Sequence, residues 1–316
     1  MINCQGSIGI CILTLRLYKI DMLEELRGTG VALITPFDQD LKIDYDGFRR
    51  LLEHTAGGGV EYYVVNGTTG EAATTNKSEK HALLNFIRAN NPNKLPIVYG
   101  TGGYDTADIV EHVQELDWTG VSALLSVSPY YNKPSQKGII AHYHAVADAC
   151  PRPVVLYNVP KRTGSNMTAA TTIALSAHPN IAGIKEASGD IGQIIDIIAG
   201  VPDDFMVISG DDMLTTAMVS LGACGVISVM ANAFPREMSD MCRLALSGNF
   251  SSASHLLFQL SRINPLMYVE SNPVGVKEAL AQLGVCRNCV RLPLVTGSDA
   301  FKADIRNALI SLTKQD

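Results

Sequence analysis

A single lysine stands in an apolar, strand-like run of the chain. The run reads IAGIKEASGD over residues 181–190, and Lys185 follows four apolar residues. Burial disfavours a protonated amine and lowers its ordinary pKa of about 10.4. A free lysine amine is the nucleophile that forms Schiff bases with carbonyl substrates. Two alternatives give Lys185 no catalytic role. Its amine could extend to solvent, or it could form an ion pair with Glu186, although adjacent strand residues point to opposite faces and would not meet.

A second candidate is the segment GTTGE at residues 67–71, between a strand-like run and a helix-like stretch. Its two hydroxyls, on Thr68 and Thr69, and its free backbone N–H groups suit an anion such as the carboxylate of a keto acid. The alternative is a tight turn capped by threonines.

The segment YNVPKRTG at residues 157–164 offers two further groups. The phenol of Tyr157 both donates and accepts hydrogen bonds, so it can relay protons, or it is simply a half-buried aromatic. The guanidinium of Arg162 can hold a substrate carboxylate as a fork, or it is an ordinary solvated charge. Tyr130 and Tyr131 form an exposed aromatic pair of the kind found at contact surfaces.

An alternation of strand-like and helix-like segments positions these residues. Short apolar runs bounded by Gly, Pro, Asn or Asp recur, and helix-length amphipathic stretches separate them. The eight runs are 30–36, 61–67, 95–102, 121–129, 152–160, 181–188, 205–212 and 223–232. The pattern predicts a (β/α)8 barrel rather than an open doubly wound sheet, since TPFDQD stands where a dinucleotide-binding GxGxxG would be. The candidate groups then all lie at the carboxyl ends of strands, where barrel active sites form.

The predicted domains are an N-terminal extension (1–21), a barrel (22–248) and a C-terminal helical domain (249–316). The apolar run 8–17 is too short to span a membrane, and its flanks do not fit an export signal well, which is the rival interpretation. We expect the extension to have no role in the fold.

Composition excludes some classes of function. The 316 residues carry a net charge of −6 without a basic stripe, which disfavours nucleic-acid binding. Seven scattered cysteines fit a reducing cytoplasm better than a secreted disulfide framework. Cys286 and Cys289 form a CxxC, and we interpret them as two structural thiols rather than half of a zinc site or a redox pair, because no second CxxC is present.

Six segments, in this order and spacing, resemble the dihydrodipicolinate synthase family of class I pyruvate aldolases, to which N-acetylneuraminate lyase is related. The segments are GTTGE, SPYYNKPSQKG, LYNVPKRTG, GIKEASGD, SGDD and GVISV, and the resemblance covers about residues 28–312. It implies a lyase that condenses pyruvate with L-aspartate 4-semialdehyde, the first committed step of diaminopimelate and lysine biosynthesis. It also implies a barrel with a helical tail, a cytoplasmic homotetramer built as a dimer of dimers, and neither a metal nor an organic cofactor.

The resemblance gives each motif residue a role. Lys185 would form the Schiff base, Tyr157 and Thr69 would relay protons, and Thr68 would bind the pyruvate carboxylate. Arg162 would bind the carboxylate of the aldehyde, and Tyr131 would complete the site of a neighbouring subunit. The backbone of Gly210 and Ile227 would line the site. Two threonines in GTTGE and an arginine in YNVPKRTG resemble the dipicolinate branch more than sialic-acid lyases. A sister pyruvate aldolase with another aldehyde and a non-catalytic small-molecule binder are the alternatives.

One departure from the family concerns feedback inhibition by L-lysine. The family's inhibitory site uses two histidines, an asparagine and a glutamate, and the matching positions here are Lys77, Lys80, Tyr104 and Asp108. Two cations are poor hosts for a cationic amino acid. We therefore predict weak or absent inhibition, measured as initial rate against lysine concentration. A clear inhibition curve at sub-millimolar lysine would refute this prediction.

Overall fold

The computed structural model describes residues 24–312, and these form a closed barrel of eight parallel strands in sequence order. The strands are β1 (Gly28–Ala32), β2 (Tyr62–Val65), β3 (Ile97–Gly102), β4 (Ala123–Val127), β5 (Val154–Asn158), β6 (Ile181–Glu186), β7 (Met206–Ser209) and β8 (Gly225–Ser228). Seven of the eight apolar runs contain one strand each, and the first run, 30–36, overlaps β1, which begins two residues earlier. The closed eight-stranded sheet confirms the predicted barrel. The predicted extension 1–21 lies outside the described residues.

Helices follow the strands and surround the barrel. They are α1 (Tyr45–Gly57), α2 (Lys77–Asn90), α3 (Thr106–Glu115), α4 (Gln136–Ala149), α5 (Pro160–Thr163), α6 (Ala169–Ser176), α7 (Ile191–Gly200), α8 (Thr215–Leu221) and α9 (Pro235–Leu246). Polar caps fix several of their starts. Asn76 and Glu79 form a reciprocal capping box at α2, which satisfies backbone N–H groups that the first helical turn leaves free. Among residues 24–312, no helix combines the length and the apolar character that crossing a bilayer requires.

Three more helices follow the barrel: α10 (Phe250–Leu260), α11 (Val274–Gln282) and α12 (Asp299–Leu312). The sequence predicts helix from residue 252 to 270, but α10 ends at Leu260 and only a 3-10 turn, Asn264–Met267, comes after it. Pro265 accounts for the break, because proline lacks an N–H and clashes with the preceding helical turn.

A β-bulge in β6 sets the direction of its side chains. Val154 of β5 pairs with Ile181, but the next residue, Val155, pairs with Gly183, so Ala182 is an extra residue in β6. A bulge of this kind reverses the side-chain alternation beyond it. Ile184 consequently packs in the outer core between strands and helices, and Lys185 faces the barrel interior beside Tyr157.

Gly183, beside this bulge, leaves no room for a side chain. A Cβ there would stand 2.7 Å from the carbonyl oxygen of Met206 and 2.8 Å from its Cβ. Gly183→Ala therefore forces β6 away from β7, and we expect a loss of about 1–3 kcal/mol of unfolding free energy. Urea denaturation measures the loss. Gly57→Ala is the matched control, since a Cβ there meets nothing within 4 Å, and equal stability of the two variants would contradict the prediction.

Candidate active site

Lys185 lies inside the barrel near the carboxyl ends of the strands. It is 5% exposed, and its Nζ lies 4.5 Å from the centroid of the Tyr157 ring. The two residues are direct partners in the β5–β6 ladder, so the sheet itself holds them together. Within residues 24–312, the amine makes no ion pair with a carboxylate. The alternatives of an ion pair with Glu186 and of an amine extended into solvent therefore do not describe this lysine.

Burial lowers the pKa of the Lys185 amine to about 8. The charge of Asp212 opposes this shift, and the nearby Arg162 guanidinium adds to it. At neutral pH the unprotonated fraction of this amine is therefore far larger than the roughly one part in a thousand expected for an unperturbed lysine. An amine with this pKa suits the nucleophilic role that the sequence predicts for Lys185.

Asp212 is a buried carboxylate in the 3-10 turn that follows β7. Its Oδ2 accepts hydrogen bonds from the backbone N–H groups of Val229 and Met230, at 3.2 and 3.0 Å. Burial raises its pKa to about 6, so the group is ionised at neutral pH and acts electrostatically on Lys185. The hydrogen bonds of Asp212 therefore connect the turn after β7 with the segment after β8, and its charge partly offsets the lowering of the Lys185 pKa.

Tyr157 is buried, and burial raises the pKa of its phenol to about 12, against the smaller opposing effects of Arg162 and a hydrogen bond with Thr68. The phenol is thus protonated at neutral pH and can donate or accept a proton in a relay. Its hydroxyl partner is Thr68, at the start of the turn after β2.

Thr69 has a different partner. It is buried, and its hydroxyl oxygen accepts a hydrogen bond of 3.0 Å from Nδ2 of Asn272, before α11. The hydroxyl hydrogen is thereby free to point at another acceptor, such as a substrate carboxylate oxygen. These contacts favour the reverse of the roles expected from the resemblance, with Thr68 beside the relay and Thr69 at the carboxylate.

Gly210 and Ile227, which are predicted to line the site with their backbone, lie beside Lys185 and inside the barrel, respectively. A Cβ on Gly210 would stand 3.1 Å from Cε of Lys185 and 2.6 Å from Cβ of Ala187, so a side chain there would crowd the lysine. Ile227 is 2% exposed and belongs to the apolar cluster inside the barrel.

Arg162 and Tyr131 lie at the mouth of the barrel. Arg162 is exposed on the short helix α5 and pairs with no carboxylate of residues 24–312, although its charge reaches Lys185. Tyr131 is 84% exposed, has a φ of +68°, and contacts the Tyr104 ring at a centroid distance of 6.0 Å. Positive φ in a bulky residue is uncommon and is typical of functional positions. In one chain, Tyr131 therefore projects away from the protein.

Asn158 and Glu186 form a pair of side chains on the outer face of the barrel, next to the inward-facing pair of Tyr157 and Lys185. Asn158 and Glu186 follow Tyr157 and Lys185, and Nδ2 of Asn158 donates to both carboxylate oxygens of Glu186, at 3.2 and 3.0 Å. Asn158 also accepts from the backbone N–H of Met167 at 3.0 Å. This buried network fixes both strand ends and the loop that carries Arg162.

The CxxC residues lie in the C-terminal region. Cys286 and Cys289 are free thiols, and burial raises the pKa of Cys286 to about 12, so its reactive thiolate form is scarce. Within residues 24–312, no group of three or more His, Cys, Asp or Glu side chains is placed to hold a metal ion.

Sequence reasoning did not identify three residues near the site: Asp212, Tyr268 and Asn272. Asp212 belongs to the SGDD motif, which did point to the right strand end. Tyr268 lies within electrostatic range of Asp212, Tyr157 and Arg162. Tyr268 and Asn272 come from the region after the barrel, and no pattern in the sequence relates that region to the carboxyl ends of the strands.

Comparison with known proteins identifies relatives over nearly the whole described chain. The model of the dihydrodipicolinate synthetase family matches residues 25–312. The 4-hydroxy-tetrahydrodipicolinate synthase of Cytophaga hutchinsonii is 50% identical over 288 residues, which are 91% of this chain and 97% of that protein. The protein of the same name from Flavobacterium psychrophilum is 46% identical over 289 residues, with the same coverage of 91% and 97%.

Solved structures give the same result. The dihydrodipicolinate synthase of Thermotoga maritima superposes with a TM-score of 0.88 at 35% identity, covering 91% of this chain and 98% of that one. The Aquifex aeolicus dihydrodipicolinate synthase superposes with a TM-score of 0.87 at 35% identity and the same coverage.

The influence of Asp212 on Lys185 predicts a pH effect. In the predicted Schiff-base role of Lys185 only the free amine reacts, so we expect kcat/KM for pyruvate to rise with pH up to a pKa near 8 and then to level. Asp212→Asn keeps the hydrogen-bond acceptor but removes the charge that favours the ammonium, so the acid limb moves to lower pH. Asp211→Asn is the control, because the charges that act on Lys185 are those of Asp212 and Arg162. An acid limb that stays in place or moves to higher pH in Asp212→Asn would contradict this.

Proposed function

The chain belongs to the dihydrodipicolinate synthetase family, and from this membership we infer that it is a lyase that condenses pyruvate with L-aspartate 4-semialdehyde to 4-hydroxy-tetrahydrodipicolinate. This reaction serves diaminopimelate and lysine biosynthesis. The observation that carries the inference to chemistry is the buried amine of Lys185, whose pKa is about 8, beside the phenol of Tyr157.

The reaction begins with attack of Lys185 Nζ on the ketone carbon of pyruvate. A C–N bond forms, the ketone oxygen leaves as water, and a protonated imine remains. Loss of a proton from the methyl group gives an enamine, because the iminium nitrogen accepts the electron pair. The proposal therefore uses neither a metal nor an organic cofactor, since the iminium is the electron sink.

The enamine carbon then attacks the aldehyde carbon of the second substrate and forms the new C–C bond, while the aldehyde oxygen takes up a proton. The amine of that substrate adds to the imine carbon and displaces Lys185, which closes the ring and regenerates the free lysine. One water is released per turnover. Nothing is oxidised or reduced in these steps.

The neighbouring groups divide the remaining tasks. We propose that the hydroxyl of Thr69, whose oxygen accepts a hydrogen bond from Asn272, donates to the pyruvate carboxylate. Thr68, which is hydrogen-bonded to Tyr157, would take part in the proton relay. The guanidinium of Arg162, which has no carboxylate partner among residues 24–312, is assigned to the carboxylate of the aldehyde substrate. Main-chain atoms of Gly210 and Ile227 line the pocket.

We also propose a homotetramer, a dimer of dimers, in which Tyr131 enters the site of a neighbouring subunit and joins its proton relay. Its 84% exposure and positive φ support this, because an aromatic side chain that remains largely exposed within one chain gains further packing from a second molecule. A cytoplasmic location is part of the same proposal and is supported by the free, scattered cysteines.

The decisive test is the initial rate with both substrates, coupled to a downstream reductase. We expect at least about 1 turnover per second, and a loss of roughly a thousandfold or more in Lys185→Ala because the nucleophile is gone. Lys161→Ala is the control, since this lysine lies next to Arg162 in α5 and is exposed.

Borohydride reduction in the presence of pyruvate separates the alternatives. A stable pyruvate adduct on Lys185 without turnover of L-aspartate 4-semialdehyde would move the assignment to a sister aldolase. Absence of the adduct, or substantial turnover by Lys185→Ala, would overturn the Schiff-base mechanism itself.

A further inference from the structure

The turn that carries Thr68 and Thr69 ends in a buried carboxylate, that of Glu71. This residue is 4% exposed and has a φ of +53°, in the left-handed region that non-glycine residues rarely adopt. Its Oε1 accepts a hydrogen bond of 2.5 Å from Nζ of Lys277, and its Oε2 accepts one of 2.9 Å from the backbone N–H of Arg291. Both donors belong to the region after the barrel.

Lys277 is the most deeply buried lysine of the described chain, with 0% exposure. In addition to Glu71, its ammonium donates to the carbonyl oxygen of Cys289 at 2.8 Å and lies 4.3 Å from the centroid of the Phe37 ring. A charge in such a place is tolerated only with good partners, and well-packed apolar side chains often stabilise a protein equally well. Stability alone therefore does not explain a full ion pair at this position.

A second anchor from the same region reaches the turn. Asn272, 6% exposed, donates from Nδ2 to the hydroxyl oxygen of Thr69. From the barrel side, the hydroxyl of Thr35 donates to the carbonyl oxygen of Gly70 at 2.7 Å. The turn 67–71 is thus held at its side chains by residues after the barrel and at its backbone by a residue of the barrel.

We propose that Lys277 and Asn272 are positioning residues for binding of the keto-acid carboxylate: through Glu71 and Thr69, they hold the turn 67–71 so that its hydroxyl and N–H groups face that carboxylate. Neither residue touches the reacting atoms. The proposal rests on the assignment of pyruvate as the substrate of this site.

The direction of the Thr69 hydroxyl is the central point. With its oxygen lone pair engaged by Asn272, the O–H must donate elsewhere, and the turn offers the substrate as acceptor. If Glu71 lost Lys277, its carboxylate would be buried with one partner fewer, and the strained backbone at this residue would relax. The carboxylate-binding groups would then move without any change in Lys185 or Tyr157.

The experiment compares Lys277→Met, Asn272→Ala and the double variant Lys277→Met/Glu71→Gln with the wild-type enzyme. The control is Lys302→Met, which breaks an exposed pair with Asp299 in α12. We expect KM for pyruvate to rise at least about tenfold in each of the first three proteins, with a smaller change in kcat, and no change in the control.

The double variant separates positioning from simple stability. It buries no net charge at the pair, so its thermal midpoint should recover relative to Lys277→Met, while KM for pyruvate stays raised because the connection to the turn is missing. Recovery of KM together with the midpoint would overturn the inference. If Lys277→Met does not fold, Asn272→Ala and the double variant still decide the matter, and an unchanged pyruvate KM in both would overturn the proposal.

A ligand-free measurement makes the result independent of the proposed function. Amide hydrogen exchange over residues 67–75 should become faster in Lys277→Met and in Asn272→Ala but not in Lys302→Met. Unchanged exchange refutes the positioning role whatever the substrate is. Failure of the wild-type protein to form the pyruvate adduct, with exchange altered as expected, would refute the substrate assignment and leave the anchoring of the turn in place.

Discussion

Removing an ammonium group from water is costly, and residues 24–312 contain two buried lysines, Lys185 and Lys277, that meet this cost in different ways. Burial lowers the pKa of the Lys277 amine as well, but its hydrogen bond to the Glu71 carboxylate opposes that shift, and a backbone carbonyl accepts a second hydrogen bond. Lys185 has no such partner among residues 24–312, and Asp212 acts on it only electrostatically, so its pKa falls to about 8. The same residue type is thus proposed once as an anchor and once as a nucleophile, and the structural difference between the two is a carboxylate hydrogen-bonded to Lys277.

Much of this arrangement could be predicted from the sequence. The barrel was predictable because buried parallel strands are continuous apolar runs bounded by turn residues, a local signal that recurs eight times. The site could be located because barrel chemistry lies at the carboxyl ends of strands, and those ends carry Lys185, Tyr157 and GTTGE. These inferences need only the identity of a residue and its place in a strand.

Features that depend on distant pairing could not be predicted. The contact between Asn272 and Thr69 joins residues 203 positions apart, and nothing local in either segment indicates the other. The resemblance assigned roles to Thr68 and Thr69 without these partners, and the hydrogen bonds favour the opposite allocation. The helical region after the barrel, predicted as a separate C-terminal domain, contributes contacts to the turn that is proposed to bind the substrate.

The bulge in β6 has a consequence for how the protein tolerates insertions and deletions. The strand consists of two halves in opposite phase, and the extra residue, Ala182, is the point where the phase changes. Replacing the alanine by another small residue leaves that phase intact, whereas deleting it restores regular alternation and turns the amine of Lys185 towards the surrounding helices. A designed barrel that copies the apolar residues of β6 in regular alternation, without the bulge, would place the Lys185 amine on the outer face of the sheet. The number of residues in β6 therefore decides which face of the sheet Lys185 occupies, whereas the identity of the small residue at position 182 does not.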